Sequence, residues 1–151
     1  DAFITGIDIN RWNVVLCRIR LARARDRRIR VAVGSSTTSE PAESYDAIFC
    51  MAVLRHGALG APGVERSDPL LSFGDFARQT RDFARCLRPG GLLVLRNSNF
   101  RFSDTPAAAD FELVARVPHP AAGQRTPVFG PDNQLLAGVI DDEAIFRKRS
   151  R

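Results

Sequence analysis

Asp8 closes a short run rich in β-branched residues, Phe3-Ile4-Thr5-Gly6-Ile7, and lies in a Gly-x-Asp-x-Asn pattern. A carboxylate at the carboxyl end of a parallel strand can accept hydrogen bonds from both hydroxyls of a ribose, so the position suits a nucleoside. The competing reading assigns Asp8 to the start of the next helix, where negative charge meets the helix dipole and the first free amides. His56 follows the apolar run Tyr45 to Cys50. Just past a strand, it stands on the edge where open α/β sheets bind ligands, as a base for an acceptor that must lose a proton. The alternative for His56 is a structural histidine beside a helix. His119, between Pro118 and Pro120, reads as a loop residue.

Residue types exclude several other chemistries. Lys148 is the sole lysine among 22 basic residues, so there is no P-loop Gly-Lys, no Tyr-x-x-x-Lys dehydrogenase pair and no Schiff-base lysine elsewhere. Cys17, Cys50 and Cys86 are far apart, without a C-x-x-C pair or a histidine cluster. That spacing argues against a zinc site and a disulfide framework, and for a reducing, cytoplasmic setting. No apolar run approaches the roughly 18 residues of a membrane span. Asp1-Ala2-Phe3 show neither a basic leader nor a methionine, and read as the continuation of a longer chain.

The net charge of +5 is carried by residues 1 to 30, where eight arginines face three aspartates, while the rest of the chain is neutral. In the helix expected from Arg11 to about Arg28, two apolar stripes, Trp12/Val15/Ile19/Ala22 and Val14/Cys17/Leu21/Ala24, separate Arg11/Arg18/Arg25 from Arg20/Arg23/Arg27. Arginines split over two faces suit solvation better than nucleic-acid reading, which gathers them onto one.

The elements that must position Asp8 and His56 follow from periodicity. With 151 residues, 44% hydrophobic and 26% charged, one globular domain is the default. Strand-length apolar runs alternate with helical patterns, the signature of a parallel α/β sheet. Asn10 can cap the first helix. Ile29 to Val33 and Tyr45 to Cys50 read as strands, separated by a Gly-Ser-Ser-Thr-Thr-Ser loop. The stretch Gly57 to Leu71 reads as a lid, binding loop or disordered insertion. Ser72 and Asp75 form a capping box ahead of Phe73, Phe76, Thr80, Phe83 and Leu87 at helical spacing, and Pro89-Gly90-Gly91 stops that helix. Leu92 to Leu95, Phe111 to Val117 and Ala144 to Phe146 read as further strands.

Four stretches together resemble class I S-adenosylmethionine-dependent methyltransferases. Gly6-Ile7-Asp8-Ile9-Asn10 is similar to that family's second strand and acidic turn. Tyr45-Asp46-Ala47-Ile48-Phe49-Cys50-Met51-Ala52-Val53-Leu54-Arg55-His56 resembles its fourth strand, and Cys86-Leu87-Arg88-Pro89-Gly90-Gly91-Leu92-Leu93-Val94-Leu95 its helix end, Pro-Gly-Gly turn and fifth strand. Glu143-Ala144-Ile145-Phe146-Arg147-Lys148 looks like its antiparallel closing strand. The resemblance implies a Rossmann-like, mostly parallel sheet with helices on both faces, a single domain over residues 1–151 that opens at the family's second strand. The family's first strand and its E/D-x-G-x-G-x-G loop have no counterpart in the sequence, which makes the expected fold incomplete at its N-terminus.

The resemblance also implies a site. Asp8 and Ile9 would hold the ribose of S-adenosylmethionine. Ser35 and Ser36 stand at the adenine position, where the family often has Gly-Asp and this chain has Gly34-Ser35. Cys50 and Met51 would lie beneath the cofactor, although both residue types are common in plain cores. Asn97, Asn99 and Phe100 follow the fifth strand and would touch an acceptor. The Asn-Pro-Pro-aromatic motif of nucleobase and glutamine amino-methyltransferases is replaced by Cys50-Met51-Ala52-Val53, which counts against an amino-group acceptor of that type; the resemblance implies methyl transfer to an acceptor expected to be a small molecule. Two alternatives remain open: a nicotinamide-dependent dehydrogenase fragment, which shares the ribose-binding acid, and a cofactor-free binding module of the same fold.

Overall fold

A computed structural model of the chain describes residues 2–116, 126–139 and 144–150. His119, Val117 and Glu143 lie outside these residues. The chain forms two compact units, residues 1–39 and residues 40–151.

In the first unit, strands β1 (Ile4–Asp8) and β2 (Ile29–Val33) pair in parallel, with Ile4 opposite Ile29 and Asp8 opposite Val33. Helix α1 (Arg11–Ala24) connects them. Asn10 caps it, its side chain accepting from the amides of Trp12 at 2.9 Å and Asn13 at 3.4 Å. The helix stops at Ala24, short of the expected Arg28. Arg25 is left-handed at φ 53°, and the Asp26 carboxylate accepts from the Arg28 amide at 2.9 Å, a local turn that competes with helix. Val14 is the buried residue of α1, and Trp12 is 69% exposed. The two sequence stripes are therefore not a core face within this unit. Its arginines are exposed, and Arg18 lies over the sheet edge, donating to the Val31 carbonyl at 3.0 Å.

The second unit is a four-stranded sheet in the order β3-β4-β6-β5, built from Tyr45–Met51, Leu87–Arg96, Ala144–Lys148 and Phe111–Arg116. Strands β3 and β4 are parallel, and β6 runs antiparallel to both β4 and β5. The expected antiparallel closing strand is thus present. Helix α2 (Phe73–Cys86) packs on β4, and its first turn carries the expected cap, with Ser72 Oγ accepting from the Asp75 amide at 3.1 Å. Phenylalanines dominate the core. Phe100 lies between Phe76, Phe73 and Phe129 at ring-centre distances of 5.4, 5.6 and 6.3 Å. Phe102 meets Phe111 edge-on at 5.2 Å and Phe146 at 4.6 Å. Such pairs add to their area burial.

Two expectations need correction. Pro89-Gly90-Gly91 does not sit between a helix and a strand: α2 ends at Cys86, β4 begins at Leu87, and the three residues form a bulge within the strand. Tyr45 pairs with Leu87 and Ala47 already with Leu92, so six residues of β4 span three of β3. Gly90 takes φ +79°, and a Cβ on Gly91 would lie 2.9 Å from the Arg88 carbonyl oxygen and 3.2 Å from that of Asp46. The stretch Gly57 to Leu71 is not a free lid either. It opens with a 3-10 turn at Gly57–Gly60 and buries Leu59. It is then tied to the turn at Asn133, whose carbonyl accepts from the Ser67 amide at 3.0 Å and whose side-chain Oδ1 accepts from the Phe73 amide at 2.6 Å.

Candidate functional site

Asp8 is the last residue of β1 and half-buried. Its Oδ1 accepts from the Asn10 amide at 2.8 Å, and its Oδ2 accepts from the Asn13 side-chain amide at 3.1 Å. These bonds, the Asn10 amide first and Asn13 second, hold the carboxyl below the usual carboxylate range. The group is ionised at neutral pH and acts as an acceptor only. A carboxylate offers about four acceptor sites. One bond on each oxygen fixes its orientation and leaves capacity for a bidentate donor pair such as two ribose hydroxyls. Asp8 therefore organises the helix start and still presents an oriented anion. Asn13 went unnoticed in the sequence. Its signal is the spacing Asp8-x-Asn10-x-x-Asn13, which brings the first helical turn back over the strand end.

The neighbours of Asp8 in the first unit converge on the same strand ends. The Gly34 amide donates to the Asp8 carbonyl at 3.1 Å, bringing the loop after β2 beside Asp8. A Cβ on Gly34 would come within 3.2 Å of Ile7 Cγ2. Ile9 and Ser35 are exposed there. Ser36 is half-buried, its hydroxyl donating to Thr38 Oγ1 at 2.9 Å. Asp8, Ile9, Ser35 and Ser36 thus share the carboxyl edge of one parallel pair, a setting that fits the nucleoside half of a cofactor.

In the second unit, β3 and β4 are parallel, so Met51, His56 and Asn97 follow strand ends at one edge of the sheet. Burial separates these residues from one another. Cys50 is 4% exposed within the core, and burial pushes its thiol up to about 11. Its side chain belongs to the core, whereas Met51, one residue on, is 51% exposed. Asn99 is 1% exposed, its Oδ1 accepting from the His56 amide at 2.7 Å and its Nδ2 donating to the Pro127 carbonyl at 2.9 Å. Phe100 is buried among Phe73, Phe76 and Phe129. Both side chains are committed to the interior. Asn97 is half-buried and adopts φ 54°.

His56 caps the 3-10 turn, its Nδ1 accepting from the Ala58 amide at 3.3 Å. The bond uses Nδ1 as an acceptor and does not involve Nε2. His56 thus has a structural role at this turn. Asn133, left-handed at φ 64°, is the other residue that the sequence reading missed. No group of three or more His, Cys, Asp or Glu side chains suited to a metal occurs among the described residues. None of their helices is long and apolar enough to cross a membrane.

The sequence profile of the family described as "Methyltransferase domain" matches residues 2–95. The chain belongs to the methyltransferase domain family. These are the class I S-adenosylmethionine-dependent enzymes whose motifs the sequence carries, and the match crosses from the first unit into the second. The methyltransferase chain is similar in fold to the YcgJ protein from Bacillus subtilis, with a TM-score of 0.52 at 14% identity, over 97% of this chain and 82% of that one. A structure described as "Conversion of a Disulfide Bond into a Thioacetal Group during Echinomycin Biosynthesis" gives a TM-score of 0.51 at 12% identity, over 97% and 66%. The cyclase SpnF gives 0.44 at 20% identity, over 61% and 29%. The methyltransferase chain therefore spans 29% of the SpnF length and 66% of the echinomycin protein's. The likenesses to YcgJ and to the echinomycin protein support the Rossmann-like fold. No curated protein sequence matches significantly.

Proposed function

We propose that this chain serves S-adenosylmethionine-dependent methyl transfer to a small-molecule acceptor, with both units parts of one methyltransferase domain. The observation that carries the reading is the ionised Asp8 at the carboxyl end of β1, held by Asn10 and Asn13 with acceptor capacity to spare. In this reading Asp8 accepts from the ribose hydroxyls and Ile9 covers the sugar. Ser35 and Ser36 meet the adenine edge. Asn97 stands toward the acceptor.

The cofactor supplies a methyl group made electrophilic by its positive sulfur. Transfer from it depends on alignment of nucleophile, carbon and sulfur more than on a catalytic side chain. That fits an edge whose histidine is occupied as a cap. The reading places the chain in a reducing, cytoplasmic setting, in agreement with the free thiols of Cys17, Cys50 and Cys86. It gives the exposed arginines of α1 no nucleic-acid role.

Calorimetric titration with S-adenosylhomocysteine tests it. Saturable binding is expected, and Asp8→Ala should weaken it about ten- to a hundredfold, the size of a lost charged hydrogen bond. Absence of saturable heat would point to the cofactor-free module. Binding of a nicotinamide dinucleotide instead would reassign the chain to the dehydrogenases.

A further inference from the structure

At the end of the second unit opposite Met51 and Asn97, a cavity of about 480 Å³ opens among residues from five separate chain segments. Glu43 precedes β3, Arg81 and Arg85 lie on the last turns of α2, Asp110 precedes β5, and Lys148 and Arg149 end β6. Four cations and two anions thus line one space, at the starts of β4 and β5 and the finish of the antiparallel β6. Lys148, the sole lysine of the chain, has a side chain only 15% exposed. Its ammonium donates to the Leu87 carbonyl at 2.8 Å and stands 3.9 Å from the Glu43 carboxylate, which is itself mostly solvated. Arg149 Nε donates to the Phe111 carbonyl at 3.0 Å, an anchor that uses one of its five N–H groups. Arg85 Nη1 donates to the Glu40 carbonyl at 2.9 Å.

Backbone carbonyls hold Lys148 and Arg149 in place by one donor each, and further donors remain on both side chains. Arg81 has no hydrogen bond or ion pair among the described residues. We infer that this cavity is a binding site for a small phosphorylated ligand, recognised by Arg81, Arg149 and Lys148. A cavity of this size falls in the range of small-molecule sites, roughly 300–1,000 Å³. Guanidinium forks match phosphate oxygens bidentately, and an ammonium adds a compact point charge. The partly exposed walls suit a ligand whose charge is held inside while its organic part reaches solvent. The site uses neither Asp8 nor any residue assigned above to the cofactor or acceptor, so it stands or falls independently of the methyl-transfer reading.

Pyrophosphate is the probe. Titrated calorimetrically into the full chain at about 50 mM salt, where the screening length is near 14 Å, it should bind saturably with one site per chain. The double variant Arg81→Gln/Arg149→Gln should weaken binding at least about tenfold, as expected when charged hydrogen bonds are lost. The double variant Arg66→Gln/Arg78→Gln removes the same net charge outside the cavity and should leave affinity unchanged. Melting curves of both variants check that each is folded. A third variant, Arg81→Gln alone, removes the cation without an internal partner and should still weaken binding. The inference is overturned by a titration that does not saturate, or by equal weakening in the two double variants, which would make the attraction one of net charge alone.

Discussion

Asn99 Oδ1 accepts the backbone N–H of His56 at 2.7 Å across 43 residues of sequence, while the same side chain donates to the Pro127 carbonyl at 2.9 Å. The Asn99 amide itself donates to the Leu54 carbonyl at 3.2 Å, and its carbonyl accepts from Phe129 at 2.8 Å. One buried amide side chain thus joins three loops: the one after β3, the one after β4, and the segment around Val128. A position that resembled an acceptor contact is thus a buried clamp between these loops.

Replacing Asn99 by Ala leaves the His56 N–H and the Pro127 C=O without partners in a buried setting. A loss of about 2–4 kcal/mol is expected, since each unsatisfied buried group costs about 1–3 kcal/mol. Urea denaturation read by fluorescence measures it. A loss smaller than that of an exposed substitution such as Arg66→Gln would show that the loops do not depend on the clamp.

Asp8, Asp26 and Asp75 all ionise below the ordinary 3.8. The causes are the Asn10 and Asn13 donors at Asp8, the Arg28 side chain at Asp26, and the Ser72 hydroxyl followed by Arg78 at Asp75. Because the folded values lie below the unfolded ones, the unfolded chain takes up more protons. Their stabilisation is full above the unfolded value and is lost as pH falls through the folded values. The urea midpoint should therefore hold level from about pH 7 to 5 as far as these groups are concerned, and decline below about pH 4. All three carboxylates face solvent, so the decline attributable to them is small and shrinks with added salt. The Asp8→Asn/Asp26→Asn/Asp75→Asn variant should show a shallower acid limb.

Cys50 and Cys86 are buried and Cys17 is exposed, all three as free thiols. Burial holds the Cys50 thiol at about 11, so its reactive thiolate is scarce at neutral pH. A thiol-reactive dye at neutral pH should label Cys17 in the folded chain and all three cysteines in denaturant. Mass spectrometry of digested protein assigns the sites. Rapid labelling of Cys50 under native conditions would contradict its place in the core.

Gly91→Ala sets a Cβ 2.9 Å from one carbonyl oxygen and 3.2 Å from another, with Leu87 Cδ2 at 3.1 Å. Backbone must move to relieve it, at about 1–3 kcal/mol. Gly57→Ala meets nothing within 4 Å and serves as the control. Thermal melting should separate the two, with Gly91→Ala lower.

Local chemistry was legible in the sequence wherever a residue acts on its near neighbours. The Asn10 and Ser72 caps, the strands at Ile29–Val33 and Tyr45, and the placement of Asp8 at a strand end follow from side-chain period and from oxygens that reach amides two or three residues away. The family resemblance likewise rested on contiguous stretches. Only the tertiary structure decided which faces of those stretches are covered. Alternation in β3 cannot say that Cys50 turns inward and Met51 outward, because that depends on which side β4 and α2 bury. Asn99, Phe100 and His56 carry the residue types of a polar, aromatic binding edge. Their partners at Pro127, Phe129 and Ala58 are set by loop packing, in two cases across tens of residues. The cation-lined cavity is the extreme case: Glu43, Arg81, Asp110 and Lys148 have no shared period and meet only because the starts of β4 and β5 lie beside the end of an antiparallel β6.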